Sequence, residues 1–329
     1  MRKVRSVGIK SIGHYVPDKI LTNFDLEKIV DTSDEWITLR TGIKERRIAE
    51  EDIATSDLAY KAAVIALKEG GLSSDQIDYI IVATATPDMF FPSTACIVQD
   101  KLGAKNAGAF DLSAGCSGFI YSLVVGSQMI ATGMYEHILV IGAETLSKFM
   151  DWTDRNTCVI FGDGAGAVLL GTVEEGKGLI SSCMGSDGSG GDMLKLPAGG
   201  AKMPATTETL NKRLHYIKME GREVFKYAVR YMSEAVENAL EKCNLTSEDI
   251  DILIPHQANL RIIQSIGKRL KLKDDQIYIN VDKYGNTSSA SIIIALSELV
   301  DNGRLKENDI IAMTAFGAGY TWASAVLKW

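Results

Sequence analysis

Two stretches of this chain are copies of one pattern. Residues 66–81 read ALKEGGLSSDQIDYII and residues 239–254 read ALEKCNLTSEDIDILI; slid by 173 residues with no gap, they agree at seven of sixteen positions. Each is the end of a helix, a turn and an apolar strand. Further counterparts follow in the same order, residues 137–142 with 309–315 and 166–170 with 323–327. A period near 170 residues is too long for a solenoid. It constrains the chain to two similar α/β halves, 1–172 and 173–329. Helical patterns alternate with continuous apolar runs such as YIIVAT (79–84), HILVIG (137–142) and GAVLLG (166–171). That alternation predicts mostly parallel sheets, with helices crossing over their faces.

Within the first half, residues 4–13 read as a strand and 41–48 as a charged loop or sheet edge. Helices are predicted over 22–30 and 33–40, with Thr22 and Ser33 as caps, and over 56–69, where alanines recur on one face. A further helix is predicted over 91–102, with Pro92 in its first turn. Residues 181–207, rich in Gly, Ser and Met, read as a long surface loop joining the halves.

With 329 residues, 46% of them hydrophobic, the chain can bury a large core. A net charge of -7 and a pI of about 5.3 argue against general affinity for nucleic acid. The most apolar runs fall short of a membrane span, and the first residues lack the pattern of a signal peptide. The cysteines at 96, 116, 158, 183 and 243 are odd in number, and no two have CxxC spacing. Neither a metal cluster nor a disulfide framework is expected, and a reducing, cytoplasmic setting fits.

Three places could carry chemistry. AGAFDLSAGCSGF (107–119) reads as a strand, a Gly-flanked turn and the start of a buried helix, with Cys116 at the turn. A helix N-terminus stabilises a thiolate and offers backbone N–H groups to an oxyanion. A small buried cysteine satisfies the same pattern. His256, in ILIPHQAN, lies just past an apolar strand, where sites gather in open α/β sheets. Its counterpart in the first half is Ala83, so the repeat itself does not require a histidine, and a hydrogen-bonded core histidine is the alternative. Asn286, in YGNTSSAS, follows Gly285 and precedes an apolar helix that Thr287 or Ser288 could cap; an ordinary turn asparagine is the alternative. The loop AFGAG (315–319) can bring a backbone N–H close to a ligand. GDGAGA (162–167) is not a phosphate loop, because no GK[ST] follows and the next residues read as a strand.

Taken together, DLSAGCSGF, IPHQANLR and YGNTSSAS resemble the Cys–His–Asn set of the β-ketoacyl-acyl-carrier-protein synthase III family, a branch of the thiolase-like condensing enzymes. SDEWITLRTGIKERRI, DRNTCVIFGDGAGA and AFGAGYTWASA extend the resemblance over nearly the whole chain. It implies a thiolase-like fold of two α/β halves in α-β-α-β-α layers, the first carrying the nucleophilic cysteine and the second the His and Asn, in a homodimer. The implied reaction initiates fatty acid synthesis. Cys116 takes an acyl group, acetyl in the first instance, from acyl-CoA and passes it to decarboxylating malonyl-acyl carrier protein, with His256 and Asn286 serving the malonyl step.

The same resemblance implies roles at matching positions. The N–H groups of Cys116 and Ala318 form an oxyanion hole, Ala318 standing where the family has glycine. Trp36, Arg40, Arg155, Gly221, Phe225 and Asn259 contact CoA. Lys226, Arg261, Lys268 and Arg269, with Lys271 and Lys273 nearby, meet the acidic carrier protein. Phe91, Phe161 and Phe316 border the acyl group, with Met89 and Phe90 approaching it across a dimer. No metal or redox cofactor is implied. Two other readings are a plant-type chalcone-synthase-like enzyme, which is longer and uses CoA extenders, and a non-catalytic thiolase-fold protein that only binds CoA or acyl carriers. The basic residues after His256 weigh against the first, and the intact Cys, His and Asn against the second.

Overall fold

The apolar runs become the strands of two sheets in the computed structural model, which describes residues 4–329. The first sheet contains β1 (Val7–Tyr15), β2 (Tyr79–Ala83), β3 (Gly108–Leu112), β4 (Ile138–Glu144) and β5 (Gly164–Thr172), in the order β1-β5-β4-β2-β3. The second contains β6 (Gly178–Ser186), β7 (Ile252–Pro255), β8 (Ile310–Gly317) and β9 (Thr321–Lys328), in the order β6-β9-β8-β7. A single bridge from Leu253 to Ile277 stands in the second sheet where β3 stands in the first.

Both sheets are mixed, where the apolar runs predict mostly parallel ones. β2 runs parallel to β3 and β4, and β7 parallel to β8, but β5 is antiparallel to β1 and β4, and β9 to β8 and β6. Only the three residues between Gly317 and Thr321 join β8 to β9. So short a link returns the chain beside itself and leaves no room for a crossover helix.

Six helices fill the layers: α1 (Thr55–Gly70), α2 (Thr94–Leu102), α3 (Gly118–Ala131), α4 (Gly221–Glu241), α5 (Leu260–Leu270) and α6 (Ser291–Asp301). α3 and α6 are apolar on nearly every side, as a helix covered all round must be. They lie between the sheets. Leu123 and Ile292 share one core with Val140 of the first sheet and Met313 of the second. α1 and α2 cover the outer face of the first sheet through Ala62, Ala66 and Val98. α4 and α5 cover the second through Met232, Val236, Ile262 and Ile266. The result is α-β-α-β-α.

Some local expectations shift. Thr22 and Ser33 do act as caps, accepting from Asp25 N and Trp36 N, but the first helix spans only Asn23–Leu26. α2 starts at Thr94, capped by Ser93, so Phe91 and Pro92 stay outside it. β6 takes the first part of the expected loop over 181–207. Among the described residues no helix is long and apolar enough to cross a membrane.

The offset of 173 relates the turn Gly115–Ser117 before α3 to the turn Ser288–Ala290 before α6. Each turn is pressed by a strand of the other half. A Cβ on Gly142 of β4 would collide with the carbonyl of Ser289, and one on Gly317 of β8 would lie 2.5 Å from Cys116 N. Backbone has nowhere to yield there. Gly142→Ala is therefore expected to destabilise the protein by about 2 kcal/mol or more; denaturant unfolding with an unchanged midpoint would show that the halves are not in such contact.

Candidate active site

Cys116 sits in the turn between β3 and α3. Gly115 holds φ at +53°, and a Cβ there would lie 2.8 Å from Ala318 N. The thiol's turn and the 315–319 loop thus interlock. Thr321 Oγ1 donates to Ala114 O at 2.8 Å, and Ser117 Oγ donates to Thr321 O at 3.2 Å. Cys116 is 8% exposed. Burial pushes its thiol up to about 12, with a nearby Ser288 hydroxyl pulling the other way. This corrects the expectation of a thiolate stabilised by the helix N-terminus. Desolvation, the largest influence on the sulfur, favours the thiol over the thiolate.

His256 follows β7 and is almost fully buried. Its Nδ1 lies 2.7 Å from Ser291 Oγ, which also accepts from Gln257 N at 3.2 Å. Assigning the serine proton to Nδ1 leaves the ring proton on Nε2, a donor for the cavity that His256 lines. Burial lowers its pKa to about 3, so the imidazole is neutral near pH 7. The unfolded chain takes up this proton near 6.5 and the folded chain near 3. Acidification through that window therefore removes stability.

Asn286 is fixed by pairing on both sides: its N–H donates to Ile160 O at 2.9 Å, and its carbonyl accepts from Gly162 N at 3.0 Å. Its side-chain Oδ1 accepts from Ser288 N at 2.8 Å, which leaves the amide N–H groups as donors. The expected cap from Thr287 or Ser288 is not formed; α6 starts after the Ser288–Ala290 turn with no side-chain cap.

Cys116, His256 and Asn286 line one cavity of about 890 Å³. Phe161, Phe316, Gly221, Phe225, Asn259 and Arg261 border it too. Half-buried Trp36 and exposed Arg40 lie at its outer end. The guanidiniums of Arg40 and Arg155 stand 4.8 and 5.3 Å from the Trp36 ring centre, and Arg155 also donates to Asp31 O. Asn259 caps α5 through Arg261 N and donates to Arg40 O at 3.0 Å.

A smaller, apolar cavity of about 110 Å³ adjoins Cys116, with Leu146, Phe149, Leu196, Ile217 and Ala318 in its wall. Phe91 is absent from both cavities. It is 85% exposed, ahead of the start of α2. The buried stripe of α5 turns Arg261, Lys268 and Arg269 outward; Arg269 meets Glu234 at 3.3 Å, and Lys226 is exposed on the neighbouring α4. Ser291 escaped the sequence reading. A serine opening an apolar helix was the only signal, and it reads as an ordinary polar start.

A duplicated α/β core whose cysteine comes from one half, and whose histidine and asparagine come from the other, defines a thiolase-like condensing enzyme. Comparison with known proteins narrows this. Residues 110–188 match the model of 3-oxoacyl-[acyl-carrier-protein (ACP)] synthase III, and residues 240–329 match its C-terminal model. The chain is 63% identical over 324 residues, 98% of each chain, to the beta-ketoacyl-[acyl-carrier-protein] synthase III of Caldanaerobacter subterraneus subsp. tengcongensis. It is 55% identical over 322 residues, again 98% of each, to that of Clostridioides difficile. The crystal structure of 3-oxoacyl-[acyl-carrier-protein] synthase III from Aquifex aeolicus superposes with a TM-score of 0.91 at 48% identity, covering 98% of this chain and 100% of that one. The chain belongs to the β-ketoacyl-acyl-carrier-protein synthase III family, condensing acyltransferases of fatty acid synthesis.

Ser291→Ala frees the His256 ring and its tautomer. Condensation is expected to slow about ten-fold, the scale of one lost buried hydrogen bond, while loading of Cys116 is unchanged. Equal slowing of both half-reactions, measured separately, would count against Ser291 as the group that orients His256.

Proposed function

We propose that the chain condenses a short acyl-CoA, acetyl-CoA in the first instance, with malonyl-acyl carrier protein. The observation that carries this is one cavity running from Trp36 and Arg40 at the surface to buried Cys116, His256 and Asn286. Trp36 stacks the nucleotide base between Arg40 and Arg155, and the guanidiniums meet phosphate. Cys116 Sγ attacks the thioester carbonyl. The carbonyl oxygen takes up negative charge beside the N–H groups of Cys116 and Ala318, and CoA leaves with the thiol proton. The small apolar cavity beyond Cys116 suits an acyl group of few carbons.

Malonyl-carrier protein then enters the emptied cavity. Nε2–H of His256 and the Asn286 amide donate to its thioester oxygen, so charge developing there as CO2 departs is stabilised. The enolate carbon attacks the acyl-Cys116 carbonyl, and collapse releases the 3-oxoacyl product and the cysteine sulfur. A neutral His256 suits this role as a hydrogen-bond donor. Arg261 and Lys268 on α5, with Lys226 and Arg269, form the face that meets the acidic carrier. Met89, Phe90 and Phe91, exposed by 49, 76 and 85%, form an apolar patch suited to contact with a second copy in a homodimer. The uncombined thiols suit a cytoplasmic setting.

Incubation with acetyl-CoA should add one acetyl group to Cys116 by mass spectrometry and none to Cys116→Ser; no adduct with any acyl-CoA would overturn the reading. His256→Ala should still acylate but fail to condense. If it fails to acylate as well, His256 is instead the base for Cys116. Arg261→Glu should raise KM for malonyl-carrier protein several-fold with little change in loading, and equal effects on both would remove the docking role.

A further inference from the structure

Between β6 and α4 the chain runs as a strap, residues 187–220, with no strand in either large sheet. Its own pairing is a short antiparallel ribbon, Leu194–Lys195 against Lys218–Met219. The strap walls the small apolar cavity beside Cys116. Leu194, Leu196 and Ile217 line it from the strap, and Leu146 and Phe149 line it from the body. The room left for a chain on the sulfur is therefore set by how closely two separate segments approach.

The ties between these segments are concentrated at one place. Apart from the strap's ends at Asp187 and Glu220, every hydrogen bond and ion pair between it and the rest of the described chain falls on Phe149 or Asp151. Ile217 N donates to Phe149 O at 3.0 Å, which joins one wall residue to the other. Two positions on from Phe149, Asp151 is 4% exposed. Arg213 meets it with two prongs, Nε to Oδ2 at 2.8 Å and Nη2 to Oδ1 at 2.5 Å, and Lys218 Nζ stands 3.7 Å from Oδ2. A two-pronged guanidinium on a buried carboxylate is a strong form of ion pair, unlike exposed one-point contacts within the strap such as Lys212 with Glu208. Residues 201–208 are exposed along their whole length, so little apolar burial holds that part of the strap down. The backbone of Arg213 lies in the left-handed region at φ 55°, unfavourable for arginine and held by the contacts around it.

We propose that Asp151 and Arg213 are positioning residues that set the length of acyl chain Cys116 accepts: their ion pair keeps Ile217 against Phe149, and a chain too long for the closed cavity enters only when the two walls part. This rests on Cys116 as the acylated group. By linkage, a chain that needs the parted form gains from any change that weakens the pair, while an acetyl group, which fits the closed form, does not.

The test compares wild type, Arg213→Ala and Arg213→Gln. Acetyl-CoA and octanoyl-CoA report the rates at which Cys116 is loaded. Methyl and octyl methanethiosulfonate report the rates at which it forms a mixed disulfide, which needs no CoA chemistry. In the variants Asp151 keeps Thr153 and Lys218 as partners, so its carboxylate is not stranded. Both ratios, octanoyl to acetyl and octyl to methyl, should rise about ten-fold, the scale of one hydrogen bond to a charged group. An unchanged ratio for either pair, or equal slowing of long and short chains, would make Arg213 an ordinary structural contact and overturn the proposal. If Arg213→Ala does not fold, Arg213→Gln, which keeps the stem and loses the charge, decides by the same ratios. Thiosulfonate ratios that rise as expected while neither CoA ester loads the wild type would support the wall and count instead against the acyl-transfer reading.

Discussion

The close crossing of the two halves is what the rest of the structure depends on. At the centre, β4 presses on the turn before α6, and β8 presses on the turn before α3. Glycines at 142 and 317 permit contact of backbone with backbone, a spacing no other residue allows. From that contact follow the sandwiched positions of α3 and α6, and the meeting of thiol, imidazole and amide. Duplication provides the elements; the crossing makes a site of them.

The chemistry near Cys116 is governed by burial. Three buried groups that could carry charge are pushed toward their neutral forms: Cys116 upward, His256 downward and Glu144 upward. Neutral forms cost less to bury than charged ones, and charge appearing on a substrate oxygen there meets fixed N–H donors at short range. The Arg40, Arg155 and Arg261 cations stay toward the surface, where water solvates them.

Much of this was legible in the sequence. Helix-end, turn and strand recur at a fixed offset, so the two halves could be read directly; Cys116 and His256 each stand where a strand ends, and Asn286 follows the turn glycine Gly285 before an apolar helix. Strand direction was not legible, because a continuous apolar run looks the same in a parallel or an antiparallel ladder; β5 and β9 are antiparallel where parallel strands were expected. The state of the Cys116 thiol was misjudged because a local pattern shows the helix terminus and not the depth of burial, which residues 200 positions away create. The start of α2 was misjudged because Ser93, and not Pro92, opens it. Ser291 acts only through His256, distant from it along the chain, so no local motif marks it.

Thr321 ties down the turn of Cys116 from β9, and Gly317 buttresses it from β8, both far downstream of it along the chain. The thiol emerges from the ribosome long before the residues that fix its geometry. Nascent chains therefore carry the thiol without a closed pocket around it until β8 and β9 have been made.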